Sequence, residues 1–113
     1  MLKNCMEQIE IIKDLTTNGF NAIPFGYKTP PAPYVVVKPE KDPLARGTIF
    51  RIIYHDDKGQ VFRVDQKIQE IITLLSARET LKTDSEDFNP EIFTNNDDGT
   101  ISREHTFLMF SKY

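Results

Sequence analysis

Two strands followed by a helix form the centre of the hydrophobic pattern in this chain. Residues 34–38 lie between Pro33 and Pro39 and begin with an aromatic and β-branched run at 34–37, which is typical of a strand. Residues 48–54 alternate, with Phe50, Ile52 and Tyr54 on one face. Only the charged loop 40–47 separates the two runs, so we expect them to be antiparallel neighbours.

An amphipathic helix is predicted before these strands, over residues 2–15. Its apolar positions recur every three or four residues, and we expect them to form one buried stripe. The helix should end at residues 17–19, because Asn and Gly tolerate the left-handed conformation that closes a helix. The predicted stripe consists of Leu2, Cys5 with Met6, Ile9, Ile12 and Leu15.

A second amphipathic helix follows the strands and is predicted to fade around residues 78–81. Its start is open: Asp57 with Gln60 forms a capping-box pattern, whereas Asp65 could cap a shorter helix after a brief strand. The unbroken apolar spacing favours the longer helix. The predicted buried stripe consists of Val61, Val64, Ile68, Ile71 and Leu75.

The remaining segments complete a single α+β domain over residues 1–113. Residues 20–33 contain several prolines and are predicted to be an extended connector, and the acidic stretch 82–90 a mobile loop. Residues 91–94 and 101–113 should form strands joined by the hairpin 95–99. The order α-β-β-α-β-β predicts a two-layer sandwich, in which two helices cover one face of a mainly antiparallel four-stranded sheet.

Apolar residues exceed what one covered face of such a sheet needs, which suggests self-association. The residues concerned are Tyr34, Phe50, Ile52, Tyr54, Phe107 and Met109.

Composition argues against several classes of function. The net charge is −3, and no block of Lys or Arg is longer than a pair, so a nucleic acid is not an expected partner. No apolar run reaches the length of about 20 residues that a membrane span needs, and no signal peptide is evident, so we expect a soluble protein that is not exported. Cys5 is the single cysteine and is interpreted as a packing residue without chemistry.

Catalytic and cofactor motifs are also missing from the sequence, so we expect no enzyme, no cofactor and no metal. His55 beside Asp56 and Asp57 could suggest a metal ligand, but turn residues are the better interpretation. An enzyme site would have to bring together His55, His105 and either Asp56 or Glu104 on adjacent strands.

The order of elements resembles the small tail-terminator and tail-completion proteins of long-tailed bacteriophages. The resemblance rests on the proline-marked strand PAPYVVVKPE, the strand TIFRIIYHD, the long helix and the final strand ending in FLMFSKY. It implies a non-enzymatic protein of the virion tail, made in the host cytoplasm, that forms a ring, usually hexameric. Such a ring caps the tail tube and joins it to the head connector, so its partners are its own copies, the tail-tube protein and the connector.

Two charged loops match the order of the interface loops in that family, and we predict protein contacts there. The predicted interface residues are Lys41, Asp42, Arg46, Glu86 and Asp87. The alternative function is a small inhibitory module that binds one heterologous partner, for example by adding a strand to it. A closed ring of copies would distinguish the first function from the second.

Overall fold

The computed structural model describes residues 2–84 and 93–110, and the side chains of residues 6–84 and 93–109. In this part of the chain, two helices pack on one face of a six-stranded sheet. The elements are α1 (Leu2–Thr17), β1 (Ala22–Pro24), β2 (Tyr34–Lys41), β3 (Gly47–Asp57), α2 (Val61–Ser76), β4 (Lys82–Thr83), β5 (Thr94–Asn95) and β6 (Thr100–Phe110).

The sheet confirms the α+β class but has more strands than predicted. The strand order is β1-β2-β3-β6-β4, and β5 pairs with β6 beside that path. β1 runs parallel to β2, and all other described pairs are antiparallel. The short strands β1 and β4 lie in segments that were predicted to be a connector and a loop. Part of the strand predicted at residues 91–94 lies outside the described residues.

The core lies between the sheet and α2, as the apolar spacing predicts. Strand alternation turns Phe50, Ile52 and Tyr54 of β3 toward the helices, where each is at most 2% exposed. The predicted stripe of α2 meets them from the other side, with Val64, Ile68, Ile71 and Leu75 all buried. Most of the apolar surplus is thus inside the protein, since Phe107 is buried in the same core.

The buried face of α1 matches the predicted stripe only in part. Leu15 is fully buried, as predicted, but Met6 and Ile9 are 65% and 61% exposed and Ile11 is fully buried instead. Glu7 lies on the same buried side, where the Arg78 guanidinium donates a hydrogen bond to it at 2.7 Å. Glu7 is only 7% exposed, and a buried carboxylate requires such a partner.

The helix α2 begins at Val61, as the longer alternative predicts, but without a capping box. Gln60 is the N-cap residue and makes no side-chain capping bond, and Val61 itself is 41% exposed.

The prediction that residues 55–57 form a turn is wrong. β3 continues through Asp57, which pairs with Thr100 of β6. The buried Asp56 is tolerated in this strand because the Arg63 guanidinium neutralises it.

Candidate functional site

The loop between β2 and β3 is organised by one buried carboxylate. Asp42 is only 1% exposed, and its side chain accepts hydrogen bonds from the main-chain N–H groups of Leu44 at 3.0 Å and Arg46 at 2.9 Å. An aspartate at the start of a turn favours this arrangement, since its short side chain reaches the main chain two residues further on. The conformation of the loop is therefore fixed by one of its own side chains.

Arg46 also stabilises the conformation of this loop. The Arg46 guanidinium donates to both carboxylate oxygens of Asp42, from Nε at 2.8 Å and from Nη2 at 3.1 Å, and its Nη1 lies 3.4 Å from Asp84. These bonds from Arg46 lower the pKa of Asp42 to about 2. They also hold Ala45 at a φ of +56°, a conformation that non-glycine residues adopt where neighbouring contacts fix it.

The ordered loop presents an apolar side chain at its tip. Leu44 is 59% exposed, and Pro43 and Lys41 beside it are exposed as well. Because the backbone is already fixed, little conformational entropy is lost when such a loop binds another surface. The arrangement is suited to protein contact.

The predicted interface residues divide into three groups. Lys41 is exposed at the end of β2, as an interface residue would be. Asp42 and Arg46 bind each other, so they shape the loop instead of facing a partner. Glu86 and Asp87 lie outside the described residues. Leu44 is not among the predicted interface residues. Its exposure follows from the turn signal before it, an aspartate directly before a proline after a strand.

A second buried carboxylate lies at the opposite end of the sheet. Asp56 is fully buried and accepts hydrogen bonds from the Tyr54 hydroxyl at 2.9 Å and from Arg63 Nε at 2.6 Å. Burial alone would raise the pKa of Asp56, but the bonds from Arg63, the Asp57 main chain and Tyr54 outweigh it, so that pKa lies below its ordinary value. Burial and Asp56 raise the pKa of Tyr54. The hydrogen bonds that Asp56 accepts from Arg63 thus link α2 to β3.

The outer face of the sheet, which faces away from the helices, carries an ion-pair network across three strands. Arg51 on β3 donates to Glu40 on β2 at 2.6 Å and to Glu104 on β6 at 2.5 Å. The bond from Arg51 is the main reason that the pKa of Glu40 is lowered. Long polar side chains thus cover this part of the sheet.

The four residues of a possible enzyme site do not meet. By the strand register, His55 and Glu104 point to the outer face, whereas Asp56 and His105 point to the helix face. His55 stacks on Tyr34 with ring centroids 4.6 Å apart, and His105 lies 3.1 Å from the Thr83 hydroxyl. Burial lowers the pKa of both histidines. Within residues 2–84 and 93–110, no group of three or more His, Cys, Asp or Glu side chains could hold a metal ion.

One strand edge is protected against further pairing. Val35 donates to the Asn21 carbonyl and Val37 accepts from Phe25, so both face β1. By alternation Pro39 faces the same side, where β1 has already ended. Proline has no N–H group to donate, and edge strands use it to prevent strand addition.

Comparison with family models, with curated proteins and with solved structures finds no match for this chain. No helix in the described part of the chain is long and apolar enough to cross a membrane.

Proposed function

We propose that this protein is a non-enzymatic structural protein of a phage or prophage tail. It forms a ring that caps the tail tube and joins the tube to the head connector. Its partners are further copies of itself, the tail-tube protein and the connector protein. It resides in the virion tail and is assembled in the host cytoplasm.

The observation that carries this proposal is the loop ordered by Asp42, with Leu44 at its tip. A head-to-tail ring requires two different patches on each subunit, one of which inserts into or against the other. A rigid loop with an exposed apolar tip is one such patch. The exposed aromatic pair Phe25 and Tyr27, at 56% and 69% exposure on the connector after β1, provides a second patch of different shape.

The buried charges support a structural role. Asp42, Asp56 and Glu7 each bind an arginine, so these carboxylates stabilise loops and helices. Pro39 also makes the part of β2 beyond β1 a poor edge for an added strand.

The test compares ring formation by the parent protein and by loop variants. Lys41→Glu and Leu44→Asp change the surface of the loop without touching Asp42, and Lys58→Glu in the exposed turn before α2 is the matched control. Arg46→Glu is unsuitable, because it removes the partner of Asp42 and would disorder the loop itself.

Analytical ultracentrifugation and negative-stain imaging, with and without purified tail tubes, provide the measurement. We expect the parent and Lys58→Glu to decorate tube ends as rings and both loop variants to lose this property with unchanged circular dichroism. A parent protein that never decorates tube ends would refute the proposal.

A further inference from the structure

The solvent-facing side of α2 carries a stripe of uncharged side chains. These residues recur at steps of four and three along the helix, opposite the buried stripe, and all of them are exposed. They are Phe62, Gln66, Gln69, Thr73 and Ser76. A solvated helix face usually carries Lys and Glu at such positions, but here Lys67 and Glu70 lie on its flank.

Phe62 begins this stripe and is 92% exposed, the highest value among the large apolar side chains of the described residues. It lies in the first turn of a regular helix, next to Arg63, which binds Asp56. Its backbone position is therefore fixed, and an exposed aromatic side chain on a fixed backbone is suited to the centre of a protein interface.

A depression lies along the same stripe and begins one turn after Phe62. It has a volume of about 540 Å³ and is bounded by Gln66, Gln69, Glu70, Thr73 and Leu74 of α2 and by Asn18 and Phe20 of the loop after α1. Phe20 forms an apolar wall and is held edge-on to Tyr54 with ring centroids 6.5 Å apart. One helix face thus carries a projecting aromatic ring at its start and, further along, a depression with an apolar wall.

We propose that this face binds a second copy of the chain, with the two α2 helices antiparallel. Phe62 and Thr73 lie 11 positions apart, about 16 Å along the helix at 1.5 Å per residue. When the twofold axis passes through the point midway between these two residues, Phe62 of each copy meets Thr73 and the depression of the other copy. The same alignment places Gln66 opposite Gln69, and their amides can donate to and accept from each other.

Charge complementarity supports the antiparallel arrangement. The flank beside Phe20 carries Lys67, which lies 3.3 Å from Glu70, and also Arg63. In the antiparallel pair this flank faces the same flank of the other copy, so Glu70 comes close to Lys67 and Arg63 of that copy. A parallel pair would oppose Phe62 to Phe62 and leave the depression empty, and it would place the flank of Glu70 against the opposite flank of the other helix, which carries Asp65.

The size of this face predicts a reversible dimer. α2 has 16 residues, about 24 Å of helix, and with residues 18–20 the contact lies at the small end of specific interfaces. This face and the Leu44 loop share no residue, because the face belongs to α2 and residues 18–20 whereas the loop joins β2 to β3. Dimerisation and ring formation can therefore be disrupted separately.

The first experiment is sedimentation equilibrium of the purified full chain from about 10 μM to about 1 mM. We expect a monomer–dimer equilibrium in the parent and a dimer dissociation constant at least about tenfold higher for Phe62→Ser. Phe25→Ser, which removes another exposed aromatic residue, is the control and should dimerise like the parent. The loop variant Leu44→Asp should also dimerise like the parent.

The second experiment tests the alignment by disulfide formation in a Cys5→Ser background. A mixture of Phe62→Cys and Thr73→Cys chains should form crosslinked heterodimers on mild oxidation, and neither variant alone should do so efficiently. Glu70→Lys should weaken the dimer, and the exchange Lys67→Glu with Glu70→Lys should restore it.

Three results would overturn the proposal: a parent that stays monomeric at the highest concentration, equal dimerisation of Phe62→Ser, or efficient crosslinking of Phe62→Cys to itself. Loss of binding to tail tubes by Phe62→Ser, with a monomeric parent, would assign the face to a different protein and refute the dimer.

Discussion

The rotation of α1 can be tested with two isoleucines that lie two positions apart. The hydrophobic pattern places Ile9 in the buried stripe, but the structure buries Ile11 completely and leaves Ile9 61% exposed. Replacing each by alanine removes the same atoms from the same helix. The comparison therefore isolates burial from all other effects of the substitution.

The expected magnitudes differ widely. Ile11→Ala removes buried methyl and methylene groups next to the sheet, which costs about 2–5 kcal/mol of unfolding free energy, out of a total of about 5–15 kcal/mol for a typical domain. Ile9→Ala removes exposed atoms and gains helix propensity, so its effect should stay within about 0.5 kcal/mol.

Urea unfolding followed by circular dichroism measures both effects. We expect the midpoint of Ile11→Ala to fall by about 1–2.5 M, at a slope of about 2 kcal/mol per M, and that of Ile9→Ala to be unchanged. If the two variants lose equal stability, or if Ile9→Ala loses more, α1 is rotated toward the stripe that the sequence predicts.

Three further predictions concern the core, the loop and the thiol. Ile71→Asp should abolish the folded protein by placing an unpaired charge in the core, whereas Val61→Asp, at an exposed site, should melt like the parent in calorimetry. The carboxylate of Asp42, with a pKa of about 2 against an ordinary 3.8, stabilises the fold above about pH 4 and loses this effect as the pH falls toward 2. Asp42→Asn should therefore destabilise the protein at pH 7 but hardly at pH 2, and equal losses at both values would contradict this. Cys5→Ser should leave melting and tube binding unchanged, and lost binding with unchanged folding would show a role for the thiol.

Regular periodicity made much of the fold predictable. The apolar residues from Val64 to Leu75 are spaced so that only one face of a helix can bury them all. The β-branched run before Pro39 fits a strand. In α1, by contrast, apolar residues lie on more than one side. The buried side also holds Glu7, whose partner Arg78 is 71 positions away. No local pattern contains that information.

The candidate site was predictable in place but not in detail. The charged loop after β2 was identified, whereas its order depends on Asp42 and Arg46 together with Asp84, which comes from a distant segment. Charge in a sequence shows that a side chain is polar, but not whether it faces solvent or a neighbouring carboxylate. Short strands such as β1 were missed because three residues carry too little periodicity to distinguish them from a connector.

The contact of Arg78 with α1 has a consequence for the dynamics of the fold. Arg78 follows α2 and holds two turns of α1 at once, through Glu7 at 2.7 Å and Asp14 at 2.5 Å. The first helix is thereby attached to the end of the second, although 43 residues of chain separate Thr17 from Val61. Local opening of α1 must break these bonds and leave Glu7 without its cation, so amide hydrogens of the two helices should exchange with solvent as one cooperative unit.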